Sequence, residues 1–114
     1  MEKDLEQRTK RFALAVIKFS SSLPRNREID ILMRQLIRST TSIGANYREA
    51  NRGVSRADFA NKIGTVQKEA AETQYWLELL LESGLVNDHS AQELLQESSE
   101  LLAIFASIGR KLKE

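Results

Sequence analysis

The side chains that could perform chemistry in this 114-residue chain are limited in kind. Cysteine is absent, which excludes thiolate nucleophiles, disulfides and cysteine-ligated zinc. His89 is the only histidine, and it lies in a turn between two predicted helices. Because a serine nucleophile needs a neighbouring base, one histidine on a turn does not support a catalytic triad. We expect His89 to be solvated or to cap a helix.

Acidic residues offer another route to chemistry, through a metal ion. Glu69 and Glu72 form a Glu-x-x-Glu pair, but di-iron bundles use Glu-x-x-His pairs, and the sequence contains none. The five glycines are isolated, so none belongs to a phosphate-binding loop. The sequence therefore predicts no metal, no cofactor, no small-molecule substrate and no enzymatic activity.

Arginine is concentrated in the middle of the chain, although the net charge is only +1. Four arginines are spaced to share the outer side of one helix, and a fifth follows the next turn; the row comprises Arg34, Arg38, Arg48, Arg52 and Arg56. Such a row could bind the phosphates of RNA or DNA. The alternative is an ordinary solvated helix face, since no aromatic residues are interleaved for base stacking.

Four helices must position these side chains. Apolar residues recur at spacings of three and four along four segments. Asn26 and Ser55 are predicted N-caps, Ser90 is predicted to open a capping box, and Gly53 and Gly84 are predicted left-handed C-caps. The predicted helices cover about 2–22, 27–52, 56–83 and 91–113. Short turns between them predict an antiparallel up-down-up-down four-helix bundle, in one domain spanning 1–114.

The composition suits a folded helical protein, with 41% hydrophobic and 29% charged residues. No apolar run approaches the roughly 20 residues of a membrane span. The first ten residues are too charged for a secretory signal. We therefore expect a cytoplasmic protein without a membrane partner.

A polar line runs beside the apolar stripe of the second predicted helix, displaced by about 100° around the helix axis. The third helix carries a facing polar line. We hypothesise that Asn46 and Glu49 hydrogen-bond to the third helix near Glu69 and Thr73 and fix the register of the two helices. The alternative is that the glutamates are solvated. The predicted structural network comprises Gln35, Ser42, Asn46, Glu49, Glu69, Glu72 and Thr73.

Two helices carry more apolar side chains than one core-facing stripe requires. In YWLELLL, residues 75–81, apolar side chains point nearly all round the helix, and the last helix has a second apolar line. This surplus favours burial against another copy, whereas the alternative is a monomer with a broad core face. The candidate interface residues are Tyr75, Trp76, Leu79, Leu95 and Leu102.

Two runs carry a resemblance to a known family. LMRQLIRSTTSIGANYREANRGVSRADF, residues 32–59, and KEAAETQYWLELLLESGLV, residues 68–86, resemble the bacterial four helix bundle proteins known as 23S ribosomal RNA intervening-sequence proteins. In that family proline is frequent where Gly44 stands and glycine is frequent where Ala50 stands, and both differences bear on how the helix bends and ends. The recurring motif positions fall on Gln35, Leu36, Ser42, Ile43, Asn46, Glu49, Glu69, Glu72 and Thr73.

The resemblance implies an antiparallel four-helix bundle that assembles as a ring-like homopentamer. It implies little about activity, because the family is named for the position of its genes within ribosomal RNA genes. A related branch consists of accessory proteins to retroelement reverse transcriptases, which implies nucleic-acid binding. The sequence thus favours a non-enzymatic, self-assembling structural or interaction module. The alternative is an RNA- or DNA-binding accessory protein that uses the arginines of the second helix.

Overall fold

The chain folds into helices connected by short turns. The computed structural model describes residues 2–86 and 89–114, with side chains from Asp4 onward. Its helices are α1 (Glu2–Ser21), α2 (Arg27–Asn51), α3 (Arg56–Glu82) and α4 (His89–Leu112). No β-strand occurs within these residues, so the predicted all-α class is confirmed. None of the described helices is long and apolar enough to cross a membrane.

The helices form a square antiparallel bundle with extents of 45 × 22 × 21 Å. α2 packs most extensively against α3, α1 pairs only thinly with α4, and the backbones of the diagonal helices do not come close to each other along their described lengths. Antiparallel order is visible between α1 and α2, where Thr9 lies against Gly44 and Glu6 lies near Arg48. The thin α1–α4 contact leaves a groove of about 630 Å³ along that side of the bundle.

The core consists of the predicted apolar stripes brought together. All five members of the α1 stripe are buried: Leu5, Thr9, Phe12, Val16 and Phe19. Tyr47 of α2 and Phe105 of α4 are fully buried, and their rings meet edge to face with centroids 5.3 Å apart. Because α2 and α4 are diagonal, these two rings fill the axis of the bundle.

Three predicted helix ends are confirmed by their local geometry. The Asn26 side chain accepts a hydrogen bond from the amide of Ile29 at 2.8 Å. Ser55 Oγ accepts one from the amide of Asp58 at 3.0 Å. Gly84, with φ of 79°, is the left-handed residue after α3.

Two other predicted ends differ from the structure. Gly53 does not adopt a positive φ; the Arg52 and Gly53 amides instead donate to carbonyls three residues back, which tightens the last turn of α2. Gly53 is needed for space, since an added Cβ would lie 3.1 Å from the Cβ of Asp58. α4 begins at His89, so Ser90 lies within the helix and does not precede it.

Candidate functional site

The contact between α2 and α3 holds the polar residues that the sequence singles out. At its centre Ser39 Oγ and Thr73 Oγ1 lie 2.8 Å apart, and both residues are fully buried. Thr73 Oγ1 is also within hydrogen-bond distance of the backbone carbonyl of Glu69, at 2.9 Å, and Ser39 Oγ of that of Leu36, at 3.3 Å, so either hydroxyl can be the donor between the helices. The pair satisfies two buried groups and ties one helix to the other.

Arg38 extends this contact to its solvent-facing edge. Its Nη1 donates to Glu69 Oε1 at 3.3 Å, its Nη2 donates to Glu72, and its Nε donates to Gln35 at 3.4 Å. The side chain of Glu69 is 12% exposed, whereas that of Arg38 is 49% exposed. Exposed ion pairs of this kind contribute about 1 kcal/mol or less, so Arg38 neutralises the two glutamates more than it stabilises the fold.

Asn46 and Glu49 make contacts other than those hypothesised. Asn46 Nδ2 donates to the carbonyl and the hydroxyl of Ser42, one turn earlier on α2, at 2.9 and 2.8 Å. Glu49 does reach α3, but its partner is Lys62 at 2.7 Å. Because the Asn46 amide is satisfied within its own helix, the buried bond between the helices is made by Ser39, a member of the apolar stripe.

The α2–α3 polar contact, defined as Arg38, Ser39, Glu69, Glu72 and Thr73, is suited to orienting two helices. The carboxylates of Glu69 and Glu72 pair with the guanidinium of Arg38, and the hydroxyls of Ser39 and Thr73 bond to each other. Each of these polar groups therefore has its partner within the contact itself. Among the described residues, no group of three or more histidine, aspartate or glutamate side chains could hold a metal ion. The geometry holds the two helices in register.

The arginines of the predicted row do not all point the same way, because some of them bond to neighbouring helices. Arg38 turns towards α3, whereas Arg48 Nε lies 3.8 Å from a carboxylate oxygen of Glu6 on α1. Arg56 donates to the backbone carbonyl of Leu112 at 3.1 Å. A long arginine side chain can lean to either edge of its helix, and the neighbouring carboxylates decide which edge it takes.

Two arginines of the row are exposed, and their side chains have neither an ion-pair partner nor a hydrogen-bond partner among the described residues. They are Arg34 of α2 and Arg52, the residue that follows α2, about five turns and roughly 27 Å further along the helix axis. These two are the members of the row that are available to an anionic ligand.

The predicted interface residues lie on two parts of the surface. Tyr75 is 53% exposed, and its ring packs on that of Trp76 with centroids 5.2 Å apart. Trp76 Nε1 is buried and has no hydrogen-bond partner within the described chain. Leu79 is half-buried on α3, while Leu95 and Leu102 pack partly against the core from α4. Apolar surface therefore remains on both of these helices.

The sequence analysis missed exposed apolar side chains on the first two helices. Leu14 is 55% exposed and Ile17 is 45% exposed, both on α1, and Ile31 of α2 is 49% exposed. Leu14 and Ile17 are one turn apart and lie outside the spacing of the core stripe, which is the signal that could have revealed them.

The sequence analysis also missed a group of ion pairs, called here the α1–α4 cross-link, that joins α1 to α4. Arg8 donates to Glu97 at 2.7 and 2.8 Å and to Glu100 at 2.9 Å. The hydrogen bonds to Glu97 raise the pKa of Arg8 further above its usual value. Hydrogen bonds from Gln96 and then from Arg8 hold the pKa of Glu100 below its usual 4.5. Spacing along one helix carries no information about a pair 89 residues apart.

Comparisons with known proteins place this geometry in a family. The model of the 23S rRNA-intervening sequence protein family matches residues 2–107. A solved structure from Bacteroides thetaiotaomicron, described as a protein with unknown function from the S23 ribosomal protein family, is 36% identical and has a TM-score of 0.82. That match covers 91% of this chain and 96% of the other. Among proteins with curated descriptions, none matches this sequence. The chain belongs to the 23S rRNA-intervening sequence protein family, as its motifs indicated.

Proposed function

We propose that this protein is a non-enzymatic, self-associating four-helix bundle that acts as a structural or interaction module. The observation that carries the proposal is the exposure of large apolar side chains on separate helices, with Leu14, Ile17 and Tyr75 each about half exposed. Burying such side chains against another copy contributes about 25 cal/mol per Å² of apolar surface removed from water. Exposed apolar patches are typical of interaction surfaces.

The use of the polar residues supports the same proposal. The side chains of the α2–α3 polar contact bond to each other and hold the two helices in register. The bundle is therefore a rigid unit that can present its outer faces to a partner. The ring-like homopentamer implied by the family resemblance is the assembly we propose. In such a ring each copy contacts two neighbours through different faces.

The second candidate is an RNA- or DNA-binding accessory role. Exposed Arg34 of α2 and Arg52, the residue that follows α2, favour it, because both guanidinium groups could bind backbone phosphates. Repetition of this pair around an assembly would multiply the positive potential.

Native mass spectrometry of protein purified without nuclease tests both candidates. A bare multiple of the 13.0 kDa chain supports the structural module, and a mass of 13.0 kDa alone contradicts self-association. Additional heterogeneous mass that ribonuclease or deoxyribonuclease removes supports the accessory role.

Charge variants then identify the residues responsible for any nucleic-acid binding. Arg34→Glu with Arg52→Glu should abolish binding to generic RNA at moderate salt. The matched control, Lys68→Glu with Lys113→Glu, makes the same change in net charge at two exposed lysines elsewhere. Equal loss in both variants would show that net charge, and not the α2 pair, is responsible.

A further inference from the structure

We infer that the groove between α1 and α4 is a docking site for an acidic amphipathic helix of a different protein. The groove has a volume of about 630 Å³ and runs between α1 and the first half of α4. It lies within a single copy, so the inference does not require self-association. The α1–α4 groove is defined by Arg11, Phe12, Ala15, Lys18, Phe19 and Leu94.

The groove exists because the border of α1 that faces α4 lacks the side chains that would fill it. Arg8, Arg11, Ala15 and Lys18 recur at spacings of three and four, which places them on one line along α1. All four line the groove. A seam between bundle helices is normally closed by interdigitating apolar side chains, and this line supplies only cations and one methyl group. The seam is therefore left open beyond the point where Arg8 bonds to Glu97.

The floor of the groove is apolar. Phe12, Phe19 and Leu94 form it and are 3, 5 and 7% exposed. Ala15 is exposed and lies between the two phenylalanines in the sequence, so it leaves a notch for a side chain of a partner. The aliphatic stem of Lys18 adds apolar surface at the margin. An amphipathic helix laid in a groove buries its apolar face against a floor of this kind.

The length of the groove suits a helix. Its lining on α1 extends from Arg8 to Phe19, which is three turns and roughly 16 Å along the axis. A docked helix of about 14 residues would cover it from end to end. The open side of the groove leaves the outer face of such a helix in water.

Two cations on the α1 wall are uncompensated. Arg11 and Lys18 are exposed, and neither side chain has an ion-pair or hydrogen-bond partner among the described residues. They stand seven residues apart, two turns or roughly 10 Å along α1. Side chains seven positions apart on a docked helix repeat on the same side at the same distance. Two glutamates with that spacing would therefore meet Arg11 and Lys18 together.

The α4 wall carries less free charge than the α1 wall. Glu97 is held by Arg8 at 2.7 Å, and Glu93 lies 3.4 Å from Nε2 of His89. The partner's carboxylates are therefore expected on its border towards α1, where they complement the two free cations. A nucleic-acid backbone fits this groove poorly, because its phosphates would face Glu93 and Glu97 across the same narrow space.

A synthetic peptide tests the inference with the full-length protein. The probe is a fluorescent helical peptide of about 14 residues, with leucines along one face and two glutamates seven positions apart at its border. Fluorescence anisotropy at moderate salt should show binding. The same peptide with lysines in place of the two glutamates should bind at least about tenfold more weakly.

Reversing the charge of the wall should reverse this preference. Arg11→Glu with Lys18→Glu should weaken binding of the acidic peptide at least about tenfold and strengthen binding of the lysine peptide. Lys68→Glu with Lys113→Glu makes the same change in net charge at exposed lysines outside the groove and should leave both affinities unchanged.

A second variant tests the location without changing charge. Ala15→Trp fills the notch and should abolish binding of the acidic peptide. Ala71→Trp is the matched control, because Ala71 is exposed on α3 and lies outside the groove. Retained helical circular dichroism in every variant excludes misfolding.

The outcomes separate this inference from the proposed self-association. Failure of the acidic peptide to bind, equal binding of the lysine peptide, or unchanged binding by Ala15→Trp would overturn the inference. If Arg11→Glu with Lys18→Glu prevents assembly of the copies and the acidic peptide does not bind, the groove is a contact between copies and the inference is also wrong. A monomeric protein that binds the acidic peptide through this groove would support the inference while self-association failed.

Discussion

Ser39 Oγ lies 2.8 Å from Thr73 Oγ1 at a point of the α2–α3 contact where neither residue is accessible to solvent. Small hydroxyl residues allow the two helices to approach closely, and each hydroxyl satisfies the other. Sliding one helix by a turn would separate the two hydroxyls and lose the buried hydrogen bond between the helices, at a cost of about 1 kcal/mol. The pair therefore specifies the register of the two most extensively packed helices.

Removing one hydroxyl of this pair should destabilise the protein. Thr73→Val preserves shape and removes the hydrogen bond, so we expect the free energy of unfolding to fall by about 1 kcal/mol in urea denaturation. Ser39→Ala with Thr73→Val should cost less than the sum of the single changes, because the two residues share one bond. Thr41→Val is the control, since Thr41 is exposed and bonds only within α2. Strict additivity would show that the pair is not coupled.

Removing either of two other buried hydroxyls should stabilise the protein. Thr40 Oγ1 and Ser98 Oγ are buried and have no hydrogen-bond partner in the part of the chain that the structure describes. Thr40→Val and Ser98→Ala remove a polar group that is already unpaired, so each should raise the free energy of unfolding by about 1 kcal/mol. Thermal denaturation of the two variants checks this. A loss of stability in Thr40→Val comparable to that in Thr73→Val would contradict it.

Two helical glycines should respond differently to alanine. An added Cβ at Gly64 meets no atom within 4 Å, so Gly64→Ala should stabilise the protein by about 1 kcal/mol through helix propensity. At Gly44 the added Cβ would lie 3.3 Å from Thr9 Oγ1, so the Thr9 side chain must move by a few tenths of an ångström and the gain should be smaller. Denaturant midpoints of the two variants provide the comparison. Equal gains would mean that α1 does not constrain Gly44.

Acid should weaken the α1–α4 cross-link through Glu100. Its pKa is held below 4.5 in the folded protein by hydrogen bonds from Gln96 and Arg8. A lowered folded pKa gives a stabilising contribution that is present above pH 4.5 and is lost as the pH falls through the lower folded value. The raised pKa of Arg8 acts only in strong alkali, so it adds nothing in this range.

Glu100→Gln should therefore flatten the acid limb of the stability profile. Thermal denaturation between neutral pH and pH 3 should show a smaller decline for Glu100→Gln than for the unmodified protein. Glu82→Gln is the matched control, because Glu82 is exposed and has no ion-pair partner among the described side chains. An unchanged acid limb in Glu100→Gln would show that this contact is not responsible.

The core was predictable because its information is local. Residues such as Phe12 and Val16 recur at helical spacing, and the face that they share is the face that is buried. Capping is nearly as local, although the same residue type serves different purposes: Gly84 supplies a positive φ, whereas Gly53 supplies space beside Asp58. A glycine in the sequence does not reveal which of these the turn requires.

The polar contacts were less predictable because they depend on which helix stands beside a flexible side chain. Periodicity placed Arg38 on the outer side of α2, but its contact with Glu69 requires the position of α3. Asn46 could satisfy its amide within α2 or across to α3, and the sequence permits both. Arg8 and Glu97 meet only because the bundle closes. The spacing of residues along a helix identifies the face on which a side chain lies, but its bonding partner depends on how the helices pack.

Self-association is the central claim of this account, and sedimentation velocity of the unmodified protein over a wide concentration range tests it most directly. We predict one sharp species whose mass is a multiple of 13.0 kDa, five being the proposed number, and whose sedimentation coefficient does not change on dilution. A single 13.0 kDa species at every concentration would contradict the claim.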